Sequence, residues 1–156
     1  MARWVTIALS AVVGLQGGGA AAQRLTATEL QAGATGVIAH HDFWGVEIGV
    51  ARRAGGQARV ALSAALGRAG GALAVRTSAT GQFVLRPGAR TGISPYAGIG
   101  IAFAAAEGAA GAGYLAALIG VEGTPARPRG WYVELGVAGG VRASAGLRVR
   151  RLPSWW

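Results

Sequence analysis

The chain contains no cysteine and no lysine. Without cysteine there can be no disulfide, no thiolate metal site, no cysteine nucleophile and no lipid-bearing N-terminal cysteine. Charge of either sign is scarce. Only 13% of residues are charged, six of them acidic, and all the basic residues are arginine. The formal charge of +9 raises nucleic acid as a partner. The arginines are not clustered as such a partner requires. They fall singly or in pairs, at the ends of apolar segments and at alternating positions within them, and a typical soluble basic domain carries far more charge. No nucleic acid is expected. Motifs are also missing: there is no G-x-G-x-x-G, no P-loop and no H-E-x-x-H, and the 28 glycines follow no G-X-Y period.

What is present begins with a leader. Met1-Ala2-Arg3 supplies a positive start, Trp4 to Leu15 is an apolar run, and Ala20-Ala21-Ala22 before Gln23 has the form of an A-x-A cleavage site. A transmembrane anchor is the other reading, but it needs ~20 apolar residues to cross a bilayer. The division expected is a signal peptide over 1–22 and one domain over 23–156.

That domain reads as strands. Trp44, Val46, Ile48 and Val50 alternate with Gly45, Glu47, Gly49 and Ala51. Val60, Leu62, Ala64 and Leu66 alternate with small or polar neighbours, as do Trp131, Val133, Leu135 and Val137, and again Val141, Ala143, Ala145, Leu147 and Val149. Turn signals at 40–42, 54–56, 68–71, 86–89, 107–111, 122–129 and 138–140 separate eight strands. The expected spans are Thr28–Ala39, Phe43–Arg53, Gln57–Gly67, Ala72–Leu85, Arg90–Ala106, Ala112–Val121, Gly130–Val137 and Val141–Arg151. Pro95 should disturb the fifth.

Eight such strands predict an all-β, antiparallel up-and-down barrel. A water-soluble barrel hides its apolar face and a membrane barrel displays it. A solvated face carries many charges, whereas the polar face here is glycine, alanine and serine with isolated arginines and glutamates. A tight eight-stranded lumen wants that composition. Trp44, Phe83, Phe103 and Trp131 fall at or near strand ends on the apolar face, where aromatic girdles lie. The transmembrane type is therefore favoured, with a soluble exported barrel carrying a ligand as the alternative.

The segment from Gly130 through Trp131-Tyr132-Val133-Glu134-Leu135-Gly136 to Arg150 resembles the closing hairpin of small bacterial outer-membrane β-barrel proteins. The resemblance covers this hairpin well and the rest by pattern and length. It implies outer-membrane lipids and the barrel-insertion machinery as partners, and no assigned catalysis. Members of that family end their last strand on an aromatic residue. Here Trp155 and Trp156 follow Pro153, which should end the strand.

Candidate chemistry is thin. His40 and His41 could serve a lipid- or lipopolysaccharide-modifying enzyme as base or metal pair, but adjacent residues on a strand point to opposite faces. They read as turn residues before Asp42. Ser63, Ser78, Ser94 and Ser144 offer no recognisable triad. No cofactor or metal is implied. The non-apolar face carries Glu47, Arg59, Arg76, Glu134, Arg142 and Arg148, expected as a lumenal ion-pair network rather than a wide pore. Turn lengths set Glu47 opposite Ser63 and Ser63 opposite Arg76, so that Glu47 and Arg76 meet over the small serine. They also set Glu134 opposite Ser144 and diagonal to Arg142. Arg52, Arg53, Arg86, Arg90, Arg127, Arg129, Arg150 and Arg151 fall near the end that holds both termini, expected as a basic collar on the periplasmic side. If the leader is cut as read, mass spectrometry of protein recovered from membranes gives Gln23 as the first residue. A chain still beginning at Met1 contradicts export with cleavage.

Overall fold

A computed structural model describes residues 26–154. The expected leader and the Trp155-Trp156 pair lie outside them. Eight strands follow one another: β1 Ala27–Ile38, β2 Phe43–Ala54, β3 Ala58–Ala69, β4 Ala72–Val84, β5 Ile93–Ala106, β6 Ala112–Gly123, β7 Arg129–Val137 and β8 Val141–Arg151. Each pairs antiparallel with its sequence neighbour, and β1 pairs with β8, so the sheet closes into a barrel with no free edge. Strand eight ends two residues before Pro153.

The alternation sorts the chain into an outer and an inner surface. Along β2, Trp44, Val46, Ile48 and Val50 point out and are exposed, while Phe43, Glu47, Ala51 and Arg53 point in and are buried. The outer wall is apolar apart from Thr28, Thr77 and the arginines at strand ends, with Leu115 85% and Ile99 74% exposed. Trp44, Phe83, Phe103 and Trp131 all face outward. Trp44 covers the bare backbone of Gly36 and Trp131 that of Gly123; a Cβ there would lie 2.5 and 2.4 Å from the two rings. At 9 to 14 residues each, the strands are long enough to cross a bilayer, which takes ~9–11 tilted residues.

Register follows turn chemistry, and two hairpins differ from expectation. Gly70 and Gly71 have φ of 56° and 91°. Two consecutive left-handed residues make a two-residue hairpin, so Ala69 pairs with Ala72 and the four-residue turn does not form. Gly55 and Gly56, at 75° and 91°, open a three-residue loop with Gln57 and set Ala54 opposite Ala58. Each change is a slip of two, which preserves the face but changes the partner. Glu47 therefore faces Ala65, and Ala65 faces Arg76. Ser63 stands instead between Gly49 and Ser78, and hydrogen-bonds Ser78 at 2.9 Å. The last hairpin keeps the expected register, with Val137 opposite Val141 and Glu134 opposite Ser144.

Pro95 does not break β5. Its carbonyl accepts from the Leu85 amide at 3.0 Å. In an antiparallel ladder a residue's N–H and C=O face the same neighbour. The donor Pro95 lacks would thus have pointed at Leu85, just beyond the end of β4. Pairing to β6 runs through it, with Ser94 opposite Glu122 and Tyr96 opposite Gly120.

On the inner wall, Gly33 faces Gly146 and Gly45 faces Gly67. A Cβ at Gly146 would sit 2.2 Å from the Ala32 carbonyl oxygen and 2.6 Å from the Gly33 Cα. Neither neighbour can move without shifting the closing strands. Gly146→Val should therefore cost ~1–3 kcal/mol of overpacking, read as a smaller folded, heat-modifiable fraction on unheated gels. Gly113→Ala, where nothing lies within 4 Å of the new methyl, should behave as the parent.

Candidate functional site

The inner surface holds more charge than the alternation patterns alone had indicated. Glu47, Arg59, Arg76, Glu134, Arg142 and Arg148 all point inward. So do Arg53 and Arg150, assigned from the sequence to the outer collar. Both continue the inward set of their strands, Arg53 after Phe43, Glu47 and Ala51, and Arg150 after Arg142, Ser144 and Arg148. Glu29 and Glu122, fully buried, complete the set. Glu29 sits in β1, whose inward series Ala27, Glu29, Gln31, Gly33, Thr35 is a period-2 signal that reading for apolar runs passes over. Glu122 was expected at the start of a turn, because it precedes Gly123-Thr124-Pro125. The strand runs one residue beyond it.

The charges form two layers. In the layer nearer the termini, Glu122 takes four arginines. Its Oε1 accepts from Arg53 at 3.0 Å, and its Oε2 accepts from Arg59 at 3.0 Å, Arg148 at 2.5 Å and Arg150 at 2.8 Å. Glu29 is paired with Arg53 at 2.7 Å and Arg59 at 3.2 Å. Neutral side chains fill remaining valences: Arg59 donates to Gln82 at 2.8 Å and Arg148 to Gln31 at 2.9 Å. The Tyr96 ring lies 4.5 Å from the Arg59 guanidinium, and the Tyr132 ring 4.8 Å from that of Arg148. Tyr96 has room because Gly120 opposite it has no side chain; a Cβ there would meet the ring at 2.5 Å.

In the middle layer Arg142 bridges two acids, at 2.6 Å to Glu47 and 3.0 Å to Glu134. Tyr96 donates to Glu134 at 2.8 Å. Glu134 also lies 3.7 Å from Arg148, which joins the layers. Glu47 and Arg76 share a row but do not pair. Arg142 has taken Glu47 from β8, and Arg76 turns toward the opposite mouth, where it donates to the Ala138 carbonyl.

The end of the barrel near the termini is covered. The 85–92 and 124–128 connections meet over it through amide bonds from Thr124 to Gly92 and from Ala126 to Ala89, 3.1 Å each. The lumenal arginines hold them down: Arg53 donates to Pro87 at 3.2 Å, and Arg150 to Thr124 and Arg127 at 3.4 Å. Arg52, Arg86, Arg90, Arg127, Arg129 and Arg151 are exposed around this rim, and among the described residues it exposes no acid. The other rim exposes Asp42, Glu107 and Arg68, with His40 and His41 in the 39–42 turn. Their rings touch edge to face at 4.6 Å. The candidate serines lie on the inner wall, and among the described residues no three potential metal ligands come together.

Such a molecule is an inside-out barrel: apolar where it meets its surroundings, ionic where it is packed. Solved structures share this fold. Outer membrane protein OprG from Pseudomonas aeruginosa superposes with a TM-score of 0.65 at 9% identity, covering 82% of this chain and 97% of its own. The N-terminal β-barrel domain of Pseudomonas aeruginosa OprF gives 0.58 at 18% identity, with 80% and 97% covered. Neisserial surface protein A gives 0.55 at 15% identity, with 80% and 96% covered. At these identities the likeness is one of fold. No protein-family model and no curated protein sequence matches the chain.

Removing one partner of a buried ion pair strands the other charge, at ~3–5 kcal/mol. Glu122→Ala leaves four arginines to Glu29, and should cost at least that much in urea unfolding of the barrel in detergent or liposomes. Glu47→Ala should cost less, because Arg142 retains Glu134. A double-mutant cycle should return coupling for Glu47 with Arg142 and none for Glu47 with Arg76.

Proposed function

We propose that the protein is an integral barrel of the bacterial outer membrane, with a structural or interaction role and a sealed lumen. The observation that carries this reading is the inversion of surfaces. Large aliphatic side chains in water all around a closed sheet would make an exposed apolar area far beyond what soluble monomers tolerate. Hydrocarbon removes that penalty. The likeness to outer-membrane barrels of the same strand number points to the same setting.

The interior argues against a wide pore. A void of about 10 Å³ remains between the two layers of charge and one of about 30 Å³ between Arg142 and Arg76, room for isolated waters only. Two connections cover one end. A barrel filled this way has little to conduct and a stiff wall to present.

Both termini would face the periplasm, reached after removal of residues 1–22 and assembly by the barrel-insertion machinery. The six exposed arginines Arg52, Arg86, Arg90, Arg127, Arg129 and Arg151 then form the collar at the inner leaflet. Anionic headgroups there attract basic side chains by ~1 kcal/mol each. Arg53 and Arg150 act from inside, by holding the cover. A lipid-modifying enzyme gains no support, since among the described residues neither histidine is hydrogen-bonded to an inward serine.

The test is fractionation and electrophoresis. The protein should stay with membranes through a carbonate wash, run faster unheated than heated on gels, and show no large steady conductance in planar bilayers. Mature protein that remains soluble without detergent contradicts the membrane reading. A wide, stable conductance contradicts the sealed lumen.

A further inference from the structure

The two mouths of the barrel are built differently. Opposite the covered end, the lumen opens as a cup of about 240 Å³. Its inner wall is mostly methyl groups, from Ala74, Ala104, Ala106 and Ala112, with Phe43 and Tyr114 among them, and His40 and His41 border it at the rim. Beneath lies a patch of tightly packed apolar side chains centred on Val37, Phe43, Ala65 and Ala74. Below Arg76 only a void of about 30 Å³ separates the cup from Glu47 and Arg142, so the cup does not continue as a wide channel.

Arg76 sits at the inner end of the cup. Six arginines face the lumen against four glutamates. Arg53, Arg59, Arg142, Arg148 and Arg150 each pair with at least one of these acids. Among the described residues Arg76 pairs with none. The Ala138 carbonyl takes one of its five N–H donors and the Phe43 ring lies 5.8 Å from its guanidinium. A half-buried guanidinium without an anion is an expensive group in a fold that has supplied acids to all the others. The gap is not an accident of reach: Glu47 shares its row, yet is held by Arg142.

We propose that this cup is a binding site for a small organic carboxylate with a short aliphatic chain, its carboxylate on Arg76 and its chain against the alanine wall. The guanidinium fork matches a carboxylate in plane and spacing, which favours two parallel charge-assisted hydrogen bonds. The alanine methyls leave space for a few carbons, and the polar side chains that line the cup beside Arg76 are His40 and His41, in the rim turn, and Tyr114. The cup is smaller than the usual pocket for a drug-sized ligand. Tyr114, packed over the bare Gly139 backbone, closes one side and limits chain length. Because the site lies above the sealed layers, it is independent of whether the lumen conducts and of which membrane face it meets.

Butyrate is the probe. Isotope-labelled full-length barrel in detergent micelles is titrated and followed by backbone amide shifts. Saturable shifts are expected at Ala74, Arg76, Ala104 and Gly139, in the millimolar range usual for so few contacts. Butanol and butylamine, matched in chain, should bind at least tenfold more weakly, and inorganic phosphate should give no saturable shift. Arg76→Gln should weaken butyrate at least tenfold. If that variant does not fold, Ala104→Leu fills the cup while keeping Arg76, and should abolish the shifts in a barrel that remains heat-modifiable. The proposal is overturned by the absence of saturable butyrate shifts, by equal binding of butanol, or by unchanged binding in either variant. Saturable phosphate binding would make the site a general anion site and overturn the assignment to a carboxylate.

Discussion

The carboxylate of Glu122 is the point on which this barrel hangs. It accepts from four arginines carried by three strands, β2, β3 and β8, and stands itself on β6. Such a group has no tolerable alternative. Each guanidinium taken out of water costs several kcal/mol, recovered only when an anion and further hydrogen bonds are in place. In a soluble protein, the apolar core would supply most of the drive to close. Here large apolar side chains point outward, and hydrocarbon around a closed barrel is much like hydrocarbon around an open one. Closure is then specified from inside, by polar groups satisfied in one arrangement of the strands.

That requirement explains features that look unrelated along the chain. Glycines face each other on the inner wall at Gly33 with Gly146 and at Gly45 with Gly67, so that the wall between the charged residues stays bare and long side chains can cross it. Gly120 gives way to Tyr96, whose ring then lies against Arg59 and whose hydroxyl reaches Glu134. Glutamines give two of the arginines a neutral acceptor, Gln82 to Arg59 and Gln31 to Arg148. Lysine would serve poorly in this position. An ammonium is a point charge, whereas Arg148 uses the spread of a guanidinium to reach acids on β6 and β7, and Arg59 to reach Gln82 as well as its acids, each while lying against a ring.

Strand number, strand order and face were legible because they follow from a period of two, which β2, β3, β7 and β8 keep almost without exception. The last hairpin was legible down to its pairs, since Val137 and Val141 flank a short turn. The Gly70-Gly71 hairpin was not, because a run of glycines and small residues allows several loop lengths, and the two-residue one is chosen only when both glycines adopt positive φ; at Gly55-Gly56 the loop keeps three residues and moves along the chain by one. A slip of two leaves every face intact, so the error touched partners alone. The misplacement of Arg53 and Arg150 has another source. Proximity to a strand end suggests a rim residue, but alternation continues to the last residue of a strand, and a terminal inward arginine reaches back into the lumen. Glu122 was hidden for a similar reason: the glycine and prolines after it look like loop, and the strand outlasts its apolar run.

The two ends of the lumen then differ by consequence rather than by separate design. At the end near the termini, arginines outnumber acids four to two, Arg53, Arg59, Arg148 and Arg150 against Glu29 and Glu122. The excess is met by carbonyl dipoles of Pro87, Thr124 and Arg127, which requires the 85–92 and 124–128 connections to fold inward over the mouth. At the other end the surplus is one arginine, and little backbone is drawn in. Residues 70–71 and 138–140 are spent on reversing the chain, and of these the single carbonyl of Ala138 reaches Arg76. One end is closed because its surplus charge pulls long loops over it. The other stays open because its surplus is a single arginine, met by one carbonyl, and that arginine is left facing the cup.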